Sequence, residues 1–220
     1  KHGRTKPEWL RFCRGFGDWL TTHQNADGSW YREYTWDCKA VNESKLNTTH
    51  CIGYLIELAK ATGERKYRDA ALSAGEFCWK NVHLAFAYVG GTPDNPNVID
   101  KEAGVLALDA FLALHEVTGE KRWLDAACQA ADFTETWQYS WKVPVPEEDT
   151  ASVFPKTASS TAFSIIATGR SGADLFLAGA AFSYYRLYRL TGDAHYCQMA
   201  RQLLYDTKWA VDINGSLGYG

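Results

Sequence analysis

Apolar residues recur along this chain mainly at helical spacing, and they do so in two distinct patterns. From Ala103 to Leu114 the run Ala-Gly-Val-Leu-Ala-Leu-Asp-Ala-Phe-Leu-Ala-Leu is apolar nearly all round. From Lys121 to Trp137, by contrast, Trp123, Leu124, Ala127, Cys128 and Ala131 fall on one stripe, with Lys121, Arg122, Asp125, Asp132 and Glu135 elsewhere. A helix apolar on every side belongs inside a fold, and one with a single apolar stripe covers it from outside. Extended over the chain, the periodicity predicts helices at about 7–23, 46–61, 65–82, 101–117, 121–138, 171–190 and 193–209.

A recurring segment orders these helices into pairs. It reads LAKATGERKYRDAAL from Leu58, LHEVTGEKRWLDAAC from Leu114 and LYRLTGDAHYCQMAR from Leu187. Each copy ends an apolar helix in Thr-Gly, follows it with an acidic residue, and begins an Ala-containing helix. Gly63, Gly119 and Gly192 suit the left-handed position that closes a helix, and Glu64, Glu120 and Asp193 suit the positive start of the next one. The predicted fold is all-α: a series of antiparallel hairpins with an inner and an outer helical layer, an (α/α)n toroid. A closed (α/α)6 barrel needs twelve helices where the pattern supplies about seven, so residues 1–220 read as one domain that is part of a longer chain, or as a short helical solenoid.

The intervening segments 24–45, 83–100 and 139–170 are long and rich in Gly, Pro, Asn, Asp and Trp. Alternation of short and long connections places all three at one end, where loops of this length carry function. The first, Gln24-Asn-Ala-Asp-Gly-Ser-Trp-Tyr-Arg-Glu-Tyr-Thr-Trp-Asp37, sets flat rings beside charges. Pyranose C–H faces stack on such rings while their hydroxyls pair with Asp, Glu, Asn and Arg. Trp30, Tyr31, Tyr34 and Trp36 either serve a sugar in this way or cap the core; Arg32, Asp37 and the nearby Glu43 are the polar candidates. The second loop ends at Asp100, at the start of the apolar helix. This residue reads either as an N-cap or as a general acid whose pKa partial burial would raise. The third carries Tyr139, Trp141, a bend at Pro144 and Pro146, and Arg170 four residues before Asp174, which reads as a helical ion pair or as a guanidinium that grips a sugar carboxylate. His50, early in an inner helix, faces the same mouth or is a satisfied structural histidine.

Composition narrows the partners. Nine Trp, twelve Tyr and ten Phe are many for a helical protein, whereas a net charge of −3 gives no basic footprint for nucleic acid or anionic membranes. No stretch approaches eighteen uncharged apolar residues, so the chain reads as soluble, and its compartment, periplasm or cytoplasm, stays open. Cys13, Cys38, Cys51, Cys78, Cys128 and Cys197 are scattered singly, without the spacing of a zinc or redox site, and no cofactor or metal is called for. Oligomeric state stays open.

These motifs, taken in order, resemble the six-hairpin glycosidases, in particular the unsaturated glucuronyl hydrolases and their unsaturated rhamnogalacturonyl relatives. The resemblance rests on the Gln-Asn-x-Asp-Gly-Ser-Trp-Tyr loop, Thr49-His50-Cys51-Ile52-Gly53-Tyr54, Val98-Ile99-Asp100, Arg170-Ser-Gly-Ala-Asp174 and the Thr-Gly turns. It implies that Asp100 is the proton donor and water activator. The family's His-Asp-x-Gly-Phe pattern stands here as His50-Cys51-Ile52-Gly53-Tyr54, without the second carboxylate, and its Arg-Gly-Gln-Ala-Trp motif as Arg170-Ser-Gly-Ala-Asp174, with a carboxylate in place of the Trp.

The expected function is therefore a glycoside hydrolase of uronic-acid-containing oligosaccharides, with Asp100 as acid/base, Asp174 or Asp37 as partner carboxylate, and Arg170 holding the sugar carboxylate. His50, Trp30, Arg32, Glu43, Trp141 and Tyr139 complete the substrate site. The rival readings are a polysaccharide lyase or uronyl epimerase using Tyr139, His50 and Arg170, an isoprenoid enzyme, which would want an Asp-rich cluster or zinc site, and a non-catalytic glycan-binding module.

Overall fold

The computed structural model describes residues 6–150, 154, 156, 159–165 and 174–207. It is an all-α protein in which helix α1 (Pro7–His23) precedes three hairpins. These are α2 (Thr49–Thr62) with α3 (Arg65–Cys78), α4 (Lys101–Thr118) with α5 (Lys121–Glu135), and α6 (Ala181–Thr191) with α7 (Ala194–Asp206). Each hairpin turns through the predicted glycine: Gly63, Gly119 and Gly192 have φ of 74°, 72° and 75°. Their N–H groups bond the carbonyls of Ala59, His115 and Tyr188, each at 2.8 Å.

The threonine before each glycine explains why the joint is Thr-Gly. Thr62, Thr118 and Thr191 each donate their hydroxyl to the leucine carbonyl four residues back, at 2.8 Å. The same oxygen accepts the N–H of the acidic residue two positions on, at 3.2, 3.2 and 3.1 Å. One hydroxyl thus satisfies the end of one helix and steers the chain into the next. The acidic residues differ from one another: only Asp193 caps its helix, accepting from the His195 N–H at 2.9 Å. Glu64 and Glu120 turn instead to Arg14 and Lys66, and to Arg122.

Helices α2, α4 and α6 stand side by side. The α4 core positions Ala107, Leu108, Phe111, Leu112 and Leu114 are essentially without exposure, and α3 and α5 close over them with Tyr67, Ala71 and Ala74, and with Trp123, Ala126, Ala127, Ala130 and Ala131. Small residues let the outer backbones approach closely, and Gly104 meets α5 in the same way: a Cβ there would lie 2.4 Å from Thr134 Oγ1. The inner helices are less apolar than the sequence suggests. Each keeps one open stripe, and polar side chains cross between the stripes: Lys60 on α2 pairs with Glu116 on α4 at 2.7 Å, and Arg186 on α6 with the same Glu116 at 3.2 Å.

The predicted boundaries hold to within a few residues except at α6. A 3-10 turn over Phe176–Ala180 precedes it, so α6 begins at Ala181 rather than 171. Asp174 prevents an earlier start, since its N–H and C=O both pair with Ser164, at 3.0 and 2.9 Å, in a β-bridge. Other short β pairings lie in the loops, including a hairpin of β1 (Glu33–Tyr34) and β2 (Ala40–Asn42). No helix among the described residues is long and apolar enough to cross a membrane.

Two glycine substitutions test this packing by urea denaturation. Gly104→Ala is expected to destabilise by about 1–3 kcal/mol through overpacking against α5. Gly53→Ala, where a Cβ meets nothing within 4 Å on a helical backbone, is expected to stabilise by roughly 0.5–1 kcal/mol.

Candidate functional site

The loops meet at the N-terminal ends of α2 and α4, and the first of them is anchored from below. In the Gln24–Trp30 motif nearly every side chain has a structural partner. Gln24 donates to the Gly28 and Ala70 carbonyls, at 2.9 and 2.8 Å, and Asp27 accepts from the N–H and hydroxyl of Ser29, at 3.1 and 2.5 Å. Gly28, at φ 88°, rests on α3 so closely that a Cβ would sit 2.3 Å from the Ser73 carbonyl oxygen. Trp30 is 3% exposed and its indole N–H donates to the Leu20 carbonyl at 2.8 Å, so the ring expected to stack on substrate is part of the core.

The second loop is a narrow β-like excursion, with Val89 bridged to Ile99 and the Gly90 N–H bonded to the Val98 carbonyl at 2.8 Å. Arg32 ties it to the first. Its Nη1 donates to Asn47 Oδ1 at 2.7 Å and to the Gly90 carbonyl at 2.5 Å, and its Nη2 donates to the Thr92 carbonyl. Asn47 Nδ2 reaches the Gly90 carbonyl as well. Arg32, expected to touch substrate, is a strut between loops, and what it offers a ligand is its positive field.

Asp100 lies directly beneath. It is 5% exposed; Oδ1 accepts the Ala103 N–H at 2.7 Å and Oδ2 the Thr92 N–H at 3.2 Å. Of the two readings of this residue, the N-cap is the one seen, and it extends to holding the second loop. Gly91 must be glycine for the same reason, since a Cβ would lie 2.1 Å from the Ala103 nitrogen and 2.5 Å from Asp100 Oδ1.

Between the two loops opens a cleft of about 530 Å³, walled by Trp30, Tyr31, Arg32, Glu33, Asn47, His50, Cys51 and Gly91–Pro93. Such a volume suits a small ligand. His50 stands at its rim with Nδ1 2.8 Å from the Asn47 carbonyl. Loss of hydration around the ring lowers its pKa below the usual imidazole value, against the carbonyls of Asn47 and Gly91 that raise it; the Arg32 charge adds to the lowering. In Cys51 burial pushes the thiol up to about 12, so it stays protonated.

The remaining predicted residues stand apart from this cleft. Asp37 is at the exposed β1–β2 turn, bonded to Thr35 at 2.5 Å and paired with Lys39 at 2.7 Å; Lys39 holds its carboxyl below the usual range. The expected role of Asp37 as partner to Asp100 finds no contact between them among the described residues. Glu43 is exposed just after β2. Tyr139 and Trp141 pack edge to face at 6.0 Å in the third loop, with Trp141 60% exposed. Asp174 is not on a helix: its Oδ2 lies 2.9 Å from the ammonium of Lys101, and its Oδ1 accepts the Phe176 N–H at 2.9 Å. Arg170 lies outside the described residues.

Sequence reasoning missed Lys101, which is 1% exposed although it adjoins Asp100, and which also lies 3.3 Å from Glu102 Oε1. A lysine in the first turn of a helix that is otherwise largely apolar was the available signal. A second cleft, of about 600 Å³ at the Thr-Gly end, is lined by Glu57, Leu112, His115, Glu116, Phe182, Tyr185, Arg186, Arg189 and Leu190 and holds none of the predicted residues. Among the described residues no group of three or more His, Cys, Asp or Glu is placed to hold a metal. No protein-family model matches the chain, and no curated protein matches it.

The lowered His50 pKa has a sign that can be checked. The unfolded chain binds this proton near pH 6.5 and the folded one only at lower pH, so stability falls as pH drops through that window. Chemical denaturation at pH 7 and at about pH 5 should show a smaller acid-side loss for His50→Asn than for the unaltered protein.

Proposed function

We propose that this protein is a carbohydrate-active hydrolase of uronic-acid-containing oligosaccharides, its hairpins forming part of an (α/α)6 toroid. The observation that carries the reading is the cleft at the loop end. Tyr31 and Pro93 give it flat apolar surface, while Glu33, Asn47, His50 and Thr92 line it with donors and acceptors. A pyranose needs both at once. The Arg32 guanidinium in the wall supplies a positive field for a sugar carboxylate, and Arg170 stands as the further cation that the family resemblance implies. In this reading the reaction is water addition across a glycosidic bond by carboxyl proton transfer at the head of α4, or hydration of an unsaturated uronate.

A second reading is favoured by one specific finding: the carboxylates of Asp100, Asp174 and Asp37 all have partners. A glycan-binding module without catalysis would have this arrangement. Incubation with a panel of saturated and unsaturated uronic oligosaccharides separates the possibilities. Released sugar with unchanged ultraviolet absorbance is expected for ordinary hydrolysis, and loss of the conjugated-uronate absorbance for the unsaturated-sugar reaction. A rise in that absorbance would replace the hydrolase by a lyase, and ligand bound but recovered unchanged would replace it by the binding module.

A further inference from the structure

We infer that Glu33 is the residue that reads the ligand in the loop-end cleft, accepting hydrogen bonds from two neighbouring hydroxyls of a sugar ring; the inference rests on the uronate reading above. The carboxylates of Asp100, Asp174 and Asp37 are each committed to a partner within the protein. Glu33 is not. It is exposed and lines the cleft beside Tyr31 and Arg32, and among the described residues no hydrogen bond or ion pair engages its carboxylate. The cations around it are already occupied. Lys39 and Lys45, on either side of β2, pair with Asp37 at 2.7 Å and with Asp27 at 2.8 Å. Arg32, its neighbour in sequence, turns its guanidinium to Asn47, Gly90 and Thr92.

A glutamate without a partner is ordinarily a solvated surface group. The backbone beneath this one, however, is fixed. Glu33 lies opposite Asn42 in the β1–β2 hairpin, the Arg32 N–H donates to the Asn42 carbonyl at 3.0 Å, and the Arg32 side chain ties the strand to the second loop. The pairing slips at this point: Tyr34 lies opposite Ala40, which leaves Val41 over in the facing strand. An extra residue twists the ladder and re-aims the side chains beside it, and such bulges gather next to functional sites. Tyr31 is held as well. Its N–H donates to the Tyr34 hydroxyl at 3.1 Å, and the Lys45 ammonium lies 5.4 Å from its ring centre. A flat ring and a free carboxylate, two residues apart on an anchored segment, thus line the same cleft.

The two charges of the wall select which way round a uronate lies. Arg32 and Glu33 form no ion pair with each other, so the cleft keeps one positive and one negative group that do not neutralise one another. A sugar carboxylate is drawn to the guanidinium and repelled by Glu33. In a pyranuronate that carboxylate is carried by C5, and the C2–C3 edge lies across the ring from it. The hydroxyls of that edge therefore meet Glu33, whose two oxygens can each accept one of them. Hydrogen bonds to an ionised acceptor are stronger than neutral ones, so a ring that lacks either hydroxyl binds more weakly. The ligand class is a uronate whose C2 and C3 hydroxyls are both free. An unsaturated uronate, which carries no hydroxyl on C4, keeps both.

The test measures Kd by ligand-observed NMR for the unaltered protein and Glu33→Gln, with a methyl glucuronide, its 2-deoxy analogue and its methyl ester as probes. Glu33→Gln is expected to bind the glucuronide roughly 10- to 100-fold more weakly at an unchanged Tm. Loss of the C2 hydroxyl should cost the unaltered protein about tenfold and Glu33→Gln less than about threefold, because both changes remove one contact. The methyl ester should weaken both proteins alike, since the charge it removes meets Arg32. Glucuronide binding by Glu33→Gln within about twofold of the unaltered protein overturns the role of Glu33 and leaves the uronate reading intact. An ester that the unaltered protein binds as well as the free acid, or better, overturns the orientation. If the unaltered protein binds neither these probes nor any uronic oligosaccharide, the uronate reading falls and this inference with it. Should Glu33→Gln not fold, Glu33→Asp decides: its shorter side chain is expected to weaken the glucuronide at least about fivefold, and an unchanged Kd overturns the assignment.

Discussion

Each hairpin of this protein closes around a threonine hydroxyl that donates backward into one helix and accepts forward from the next. Beside it a glycine takes the left-handed conformation that reverses the chain, with φ between 72° and 75° in all three joints. Because the joints are alike, the hairpins leave them in like manner, and the apolar side of each outer helix comes to rest on its own inner helix. The small residues of α3 and α5 then set the distance: Ala71, Ala74, Ala126, Ala127 and Ala130 are fully buried, where larger side chains would push the layers apart. The arrangement of the loops follows, since a chain that turns tightly at one end must make its long excursions at the other.

Polar side chains tie those excursions to one another and to the helix starts beneath them. Arg32 spans from the first loop to carbonyls of the second, Asp100 gathers an N–H from the second loop and one from α4, and Lys101 binds the segment before α6 through Asp174. Consecutive residues at one helix start therefore do different work: Asp100 outward to a loop, Lys101 inward to a carboxylate, Glu102 along the open stripe. Their side chains diverge because successive helical positions are about 100° apart.

Helices and joints were legible in the sequence because they depend on neighbours three and four residues away. Gly63, Gly119 and Gly192 behave as the Thr-Gly repeat predicts, and six of the seven predicted helices start within about three residues of where they were expected. The site was legible only in part. Asp100 begins its helix as expected, and His50, Arg32 and Trp30 do gather at one cleft, yet two of those three turn out to be supports. Their roles depend on carbonyls contributed from 10 to 60 residues away, at Leu20, Gly90 and Thr92, which no local pattern encodes. The β-bridge at Asp174 was hidden for the same reason: its partner is Ser164, and a pairing of single residues leaves no alternation to read. Lys101 looked like an ordinary first-turn helix residue until Asp174, before α6, came to its ammonium.

The strut made by Arg32 has a consequence for recognition. A guanidinium that bonds three acceptors on two loops fixes the mouth of the cleft before anything enters it. A ligand arriving there meets walls that need no ordering, so little chain entropy is lost on association and the encounter is one of rigid fit. Selectivity is then steric first. On the proposed reading, a ring with one substituent misplaced would be excluded by shape instead of being accommodated by a moving loop.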